Sequence, residues 1–67
     1  MILDKRDFEW KVLRYLNDRG EKRTYKFVDS IELIDDYYRV EVGYTDHFVS
    51  GDIDDTGIYF IDKAELD

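Results

Sequence analysis

The side chains that could carry out nucleophilic or acid–base chemistry are few in this chain. It has one histidine, His47, and no cysteine, and neither Ser30 nor Ser50 stands in a nucleophile motif. The adjacent pair Asp54-Asp55 falls on a predicted turn, whereas carboxylates that share acid–base work face each other across a cleft. A chain of 67 residues also has little room for a substrate pocket of roughly 300 Å³ or more. We therefore expect neither an enzyme nor a bound cofactor.

The spacing of oxygen-bearing side chains in residues 52–58 is that of a cation-binding loop. Asp52, Asp54 and Thr56 occupy alternate positions and Gly57 follows them, which resembles the first half of an EF-hand calcium loop. The resemblance implies short oxygen ligands that converge on Ca²⁺ before a sharp turn at the glycine. It ends at the twelfth position, where Lys63 stands in place of the bidentate glutamate and would repel the ion. A solvated hairpin turn is the favoured interpretation, and we expect no bound metal.

Charge is distributed unevenly along the chain. Residues 1–26 carry 8 Lys/Arg and 5 Asp/Glu, a balance of +3, whereas residues 27–67 carry 2 Lys/Arg and 12 Asp/Glu, a balance of −10. A strongly negative face attracts cationic surfaces and repels nucleic acid. It can also occupy a basic groove that normally holds DNA or RNA, with nearby tyrosines as anchors. The competing interpretation is that a net charge of −7 only keeps a small protein soluble.

The basic N-terminal segment offers an alternative, which is contact with phosphates. Its lysines and arginines lie in a predicted helix and the loop after it, an arrangement that can contact a nucleic-acid backbone. Five acidic residues in the same segment dilute this charge, so we do not expect nucleic acid to be the partner. The basic residues are Lys5, Arg6, Lys11, Arg14, Arg19, Lys22, Arg23 and Lys26.

Trp10 stands where a helix would turn it away from the core. At 100° per residue it points roughly 160° away from the face that carries Phe8, Val12 and Leu16. Because Trp and Arg dominate interface energetics, the far face is a candidate surface for self-association or for another partner. The alternative is that Trp10 closes the rim of a small core. The far face holds Leu3, Trp10 and Leu13, edged by Arg6 and Arg14.

The first structural element is predicted to be a helix over residues 5–19. Asp4 is a suitable N-cap, and Gly20 has the position of a glycine that ends a helix. Between them Phe8, Val12 and Leu16 recur at helical spacing and define one apolar face. The rest of the chain is expected to pack against this face.

After the helix the apolar pattern changes to the alternation typical of strands. The clearest strands are predicted at residues 37–44 and 57–61, in one antiparallel sheet. Asp35-Asp36 is predicted to be the turn of a first hairpin, and residues 54–57 the turn of a second.

These elements predict a single α+β domain over residues 1–67, with one N-terminal helix packed on a small antiparallel β-meander. Residues 63–66 are expected to add a half-turn or to fray. A winged helix is the alternative, but it needs helices at residues 27–33 and 36–50, where residues 37–45 are nearly all poor helix formers. The predicted core is Phe8, Val12, Leu16, Val40, Val42, Phe48, Ile58 and Phe60.

The expected function is that of a small acidic interaction protein, an inhibitor or modulator of a partner with a basic surface. A nucleic-acid-binding machine has such a surface, and size and charge fit an origin on a phage or another mobile element. A homodimer through the Trp10 face is a further expectation. The alternative function is a winged-helix transcription regulator that binds DNA. Partner binding is expected at Leu3, Arg6, Trp10, Leu13, Arg14, Asp35, Asp36, Tyr37, Asp54, Asp55 and Tyr59.

The expected compartment follows from what the chain lacks. It has no cysteine to form a disulfide, no apolar run near the roughly 18 residues of a membrane span, and no signal peptide at its start. We therefore expect a cytoplasmic protein that does not contact membranes.

Overall fold

The computed structural model describes all 67 residues as one helix packed on a three-stranded sheet. In chain order the elements are α1 (Lys5–Asn17), β1 (Arg23–Ile34), β2 (Tyr37–Phe48), β3 (Gly51–Asp62) and the short helix α2 (Lys63–Leu66). The strands are antiparallel neighbours in the order β1-β2-β3. This confirms the α+β meander, and the strand β2 excludes the winged helix, which needs a helix there.

The helix α1 begins and ends close to the predicted residues. Asp4 is its N-cap, because Asp4 Oδ1 accepts the backbone N–H of Arg6 at 3.0 Å. The helix ends at Asn17, slightly before the predicted end, and Gly20 takes a φ of 75° that favours glycine. At the other end of the chain the predicted half-turn is α2, whose Leu66 is buried.

The two hairpin turns differ in how well the sequence located them. Asp35-Asp36 is the two-residue turn between β1 and β2, as predicted. The second prediction is wrong: residues 54–57 lie inside β3, and the turn is Val49-Ser50, followed by Gly51 at a φ of 138°. Residues 52–55 therefore belong to an extended strand without the sharp bend of a calcium loop. No group of three or more potential metal ligands comes together in the protein.

The core lies between α1 and the sheet face beneath it. Val12, Leu16, Val40 and Val42 are buried as predicted, and Phe8 is half-buried. Two register irregularities in β1 change the spacing of its buried side chains from two residues to three. The buried residues that were not predicted are Tyr25, Val28, Ile31, Tyr38, Ile61 and Leu66 and, on the opposite sheet face, Gly43 and Thr45.

Three predicted core residues are on the surface instead: Phe48, Ile58 and Phe60 are exposed. Side chains alternate between the two faces of a strand, so the register of a hairpin decides which ones are buried. The Val49-Ser50 turn sets a register that puts Ile61 under the helix, and its neighbour Phe60 therefore faces away. Phe48 ends β2 beside the turn, where α1 does not reach.

The helix is too short to cover the whole sheet. Its 13 residues span about 20 Å, whereas strands of 12 residues span about 40 Å. The remainder of the face is closed by its own side chains: Arg23 donates to the Tyr59 hydroxyl at 2.8 Å and lies 4.1 Å from the Tyr44 ring centre. The Tyr25 hydroxyl donates to Glu21 at 2.7 Å. Burial, together with this bond, raises the pKa of Tyr25, so its hydroxyl stays a donor at neutral pH.

Candidate partner-binding surface

The sheet face turned away from α1 has nothing packed on it, and we term it the open face. Its side chains are those that alternate with the buried ones along each strand. Phe60 is 65% exposed and Ile58 is 48% exposed. The rings of Tyr37 and Phe60 lie 5.7 Å apart in an edge-to-face pair. The open face carries Phe27, Glu32, Ile34, Tyr37, Arg39, Glu41, Ile58 and Phe60.

Phe27 lies flat on the open face because of a glycine in the neighbouring strand. A Cβ atom at Gly43 would come within 2.2 Å of the Phe27 ring, so only glycine leaves room for the ring there. An aromatic ring over a strand glycine shields the backbone that the glycine exposes. This contact explains a glycine in the middle of the central strand, a position that glycine otherwise weakens.

Carboxylates surround the aromatic pair at one end of the open face. We term Asp35, Asp36 and Asp62 the acidic end: the first two form the β1–β2 turn, and Asp62 is paired with Tyr37 across the sheet. The backbone N–H of Lys63 donates to the carbonyl of Asp36 at 2.9 Å, which holds the turn beside the end of β3. None of the three carboxylates has a cationic partner within 4.0 Å. The acidic end therefore presents carboxylates without an ion pair beside the exposed Phe60 ring and the half-buried Tyr37. Lys63, which follows Asp62 in the chain, lies close enough to Asp36 for electrostatic attraction.

The other predicted acidic residues lie outside the acidic end. Asp54 lies on the open face at the far end of the sheet, where its Oδ1 accepts the Thr45 hydroxyl and stands 4.0 Å from Lys26 Nζ. Asp55 is on the opposite face of the same strand. Tyr59 is half-buried beside Arg23 and the other tyrosines, where it takes part in packing. The prediction of a second acidic hairpin tip is therefore wrong, because these residues are inside a strand.

The helix face predicted around Trp10 is only partly exposed. Trp10 is 68% exposed, and the Arg14 guanidinium lies 5.2 Å from the centre of its ring. Leu3 and Leu13, in contrast, are half-buried and pack against the core. Leu13 lies about 60° from Leu16 as well as from Trp10 around the helix, so it can reach the core. Trp10 is thus a single exposed aromatic side chain rather than part of an apolar stripe.

Five of the eight basic residues before residue 27 lie within ion-pair distance of an acid: the four arginines, and Lys26, which approaches Asp54. Arg6 donates to Asp4, and Arg14 lies within ion-pair distance of Asp18. Arg23 pairs with Asp46 at 2.8 Å, and its side chain is only 27% exposed. Arg19 likewise approaches an acidic residue. These arginines form local pairs rather than one free basic patch.

One row of polar side chains was not foreseen from the sequence. The His47 ring bonds the Thr24 hydroxyl through Nε2 at 2.9 Å and Asp52 through Nδ1 at 3.1 Å. This Asp–His–hydroxyl order occurs in nucleophilic catalysis, but here all three residues are exposed on a strand end. No cavity in the protein is lined by Thr24. These bonds link the end of the β2–β3 hairpin to β1. They were not predicted, because the turn expected at residues 54–57 does not pair Asp52 with His47.

Comparisons with known proteins do not extend these observations. No protein-family model matches the chain, and the searches of curated proteins and solved structures give no match. No helix in the protein is both long enough and apolar enough to cross a membrane.

Proposed function

We propose that this protein is a non-enzymatic binding protein that engages a basic surface of another protein through the open face and its acidic end. The observation that carries the proposal is the exposed Phe60 ring, packed edge-to-face on the half-buried Tyr37, beside three carboxylates that make no ion pair. Aromatic side chains that become buried on binding supply most of the binding free energy of an interface. Complementary charges orient the partner and raise the association rate. A basic partner surface matches both features.

The wider charge distribution supports a cationic partner. Of the 12 acidic residues after residue 26, three make ion pairs with lysine or arginine and a fourth bonds the His47 ring, which leaves eight without such a partner. Solubility alone is a sufficient reason for exposed carboxylates. It gives no reason for an exposed phenylalanine among them, because exposed apolar rings lower solubility. The combination of both features favours binding. The four paired residues are Asp46, Asp52, Asp54 and Asp67.

The partner class that fits best is a protein whose basic groove normally holds nucleic acid. Carboxylates along a sheet compete with phosphates for the same arginines and lysines, so the bound protein would act as an inhibitor or modulator. Direct DNA binding by the N-terminal segment is the weaker candidate. Its arginines are engaged in local ion pairs, and the more acidic part of the chain repels a phosphate backbone.

Affinity capture from a lysate of the source cells tests this proposal. The bait is the wild-type protein, compared with Asp35→Lys/Asp36→Lys and with a charge-matched control, Asp7→Lys/Asp29→Lys, outside the acidic end. We expect the wild type and the control to retain a protein after nuclease treatment, and the acidic-end variant to lose it. Retention only when nucleic acid is present, or tight binding of duplex DNA by the wild type at physiological salt, would overturn the proposal in favour of a DNA-binding function.

A further inference from the structure

The outer edge of β3 carries a row of free backbone groups. The two-residue turn at Val49-Ser50 makes Phe48 and Gly51 the first hydrogen-bonded pair of the hairpin. The backbone N–H and C=O groups of the odd-numbered residues of β3 therefore bond to β2, whereas those of the even-numbered residues point away from β2. At two places these outward groups have other partners: the Thr56 N–H donates to Asp55 Oδ1 at 2.8 Å, and Asp62 is already the N-cap of α2. The outward-facing residues are Asp52, Asp54, Thr56, Ile58, Phe60 and Asp62.

The opposite edge of the sheet, on β1, is closed. Residues 1–3 run antiparallel to the end of β1: Leu33 donates its N–H to the Met1 carbonyl at 2.8 Å, and the Leu3 N–H donates to the Ile31 carbonyl. Farther along, Glu9 accepts the Val28 N–H at 3.0 Å. The Asn17 amide bonds both the N–H and the carbonyl of Tyr25. The N-terminal segment and α1 thus bond backbone groups of β1 at Tyr25, Val28, Ile31 and Leu33, whereas no strand or side chain of α1 pairs with the outer edge of β3.

The β3 edge also lacks most features that prevent strands from adding to one another. Its pairing with β2 runs over all 12 residues without a register shift, so no bulge twists the edge away. It contains no proline and no lysine or arginine. Natural edge strands are commonly blunted by these devices or by being very short. What β3 has instead is four aspartates, which oppose the approach of acidic strands and favour basic ones.

We propose that the outer edge of β3 binds an extended segment of the partner as an additional strand, apolar at its middle and basic towards both ends. The inference rests on the proposed function and specifies how the partner is held. Ile58 and Phe60 lie on the open face at the middle of the edge, with Asp54 and Asp62 on either side. These two carboxylates are eight residues apart, about 27 Å in a strand, which a segment of nine or ten residues spans.

The charge of β3 selects the occupant. A second copy of this chain would bring two strands with four aspartates each into contact, and like charges across a strand pair are destabilising. A basic strand would instead pair its lysines or arginines with the carboxylates while its backbone completes the hydrogen-bond ladder. In strand addition the backbone bonds supply affinity and alternate side chains supply specificity.

A synthetic peptide tests the mode of binding with the whole protein. The probe has ten residues, with lysines near both ends and valine and threonine alternating between them. Its matched control is the same peptide with backbone N-methyl groups on four consecutive central residues, which keeps the charge and side chains but removes N–H donors. We expect the unmodified peptide to shift the amide resonances of β3 and the control to bind at least about tenfold more weakly.

A protein variant provides the reciprocal test. Ile58→Pro removes one outward N–H, which the ladder with β2 does not use, whereas Ile58→Val keeps it. We expect Ile58→Pro to lose peptide binding with an unchanged circular dichroism spectrum, and Ile58→Val to bind as the wild type does. If Ile58→Pro does not fold, the methylated peptide with the wild-type protein decides the question.

The outcomes separate this inference from the proposed function. Equal binding of both peptides would overturn strand addition and leave binding by the acidic surface intact. Failure of the peptides and of polylysine to bind at low salt would overturn both. A wild-type dimer that Ile58→Pro dissociates would show that the occupant of the edge is a second copy, which would also overturn the inference.

Discussion

The two faces of the sheet are built from similar residue types but differ in what covers them. The face under α1 buries Val40, Val42 and Ile61, whereas the open face leaves Phe27 and Phe60 in contact with solvent. An apolar side chain stabilises a fold in proportion to the surface that folding removes from water. The aromatic residues of the open face therefore contribute little to stability, and their exposed area is available to a partner.

The largest expected effect separates two neighbours on β3. Ile61 is 2% exposed and Phe60 is 65% exposed. Ile61→Ala should lower the free energy of unfolding by about 2–5 kcal/mol, because it leaves a cavity in a small core. Phe60→Ala should lower it by less than about 1 kcal/mol. Urea unfolding followed by circular dichroism measures both, and equal losses would show that the two faces do not differ as described.

The next effect concerns Tyr25, on the part of the sheet face that extends past the end of α1. Tyr25→Phe removes the hydroxyl that bonds Glu21 and Tyr59 and should cost about 1–2 kcal/mol. Burial and these bonds raise the folded-state pKa of Tyr25 above the unfolded value of about 10, so the unfolded chain releases this proton first. Its contribution to stability is therefore complete below about pH 10 and is lost as the pH rises further.

Thermal unfolding at several pH values checks the titration of Tyr25. The wild type should lose stability as the pH rises above about 10, and Tyr25→Phe should lose less over the same range. Tyr38 has a pKa raised by burial and by its bond to Asp67, so part of the decline should persist in the variant. Identical pH profiles for the wild type and the variant would contradict the assigned role of the Tyr25 hydroxyl.

A smaller effect is expected on the open face, at Gly43. Gly43→Ala places a methyl group where the Phe27 ring lies, so the ring must swing into solvent. We expect a loss of about 1 kcal/mol, at the low end of overpacking costs because an exposed ring can move. The double variant Gly43→Ala/Phe27→Ala should lose less than the sum of the two single variants. Additive losses would mean that the ring and the glycine are not in contact.

The smallest effect is expected at Trp10. With Leu3 and Leu13 packed against the core, the exposed apolar surface of α1 is little more than one indole ring. Stable interfaces bury about 800 Å² on each partner, so we expect a monomer at tens of micromolar and a change in stability within about 0.5 kcal/mol for Trp10→Ala. Analytical ultracentrifugation measures the oligomeric state. A dimer that Trp10→Ala dissociates would support the homodimer expected from the sequence.

Local signals in the sequence were sufficient for the fold class. The cap at Asp4, the glycine at Gly20 and the change from helical to alternating spacing are each short-range features, and the structure confirms all three. The Asp35-Asp36 turn also lies between clear strands. These features depend on neighbours in the chain and not on tertiary contacts.

The faces of the strands could not be predicted, because they depend on register. Gly57 resembled the glycine at the end of a turn, but the glycine beside the real turn is Gly51. The wrong turn led to the wrong register for β3. Ile58 and Phe60 were therefore predicted in the core, although the structure exposes both. In β1, two register irregularities place Phe27 on the open face while Tyr25 stays buried. No residue type in β1 predicts these irregularities.

Of the residues predicted to bind a partner, those around the correctly predicted turn lie together in the structure. Asp35, Asp36 and Tyr37 do lie together, beside Phe60, which the sequence had placed in the core. The open edge of β3 was not foreseen, because an edge is defined by the strand order and by what fails to cover it. Such a property belongs to the whole sheet rather than to any segment of the sequence.

The central claim is that Phe60 serves binding rather than folding, and one pair of measurements on Phe60→Ala tests it. The dissociation constant for the protein captured after nuclease treatment and the free energy of unfolding are measured on the same preparation. We predict binding weakened at least about tenfold with stability changed by less than about 1 kcal/mol. Unchanged binding together with a loss of stability as large as that of Ile61→Ala would contradict the account.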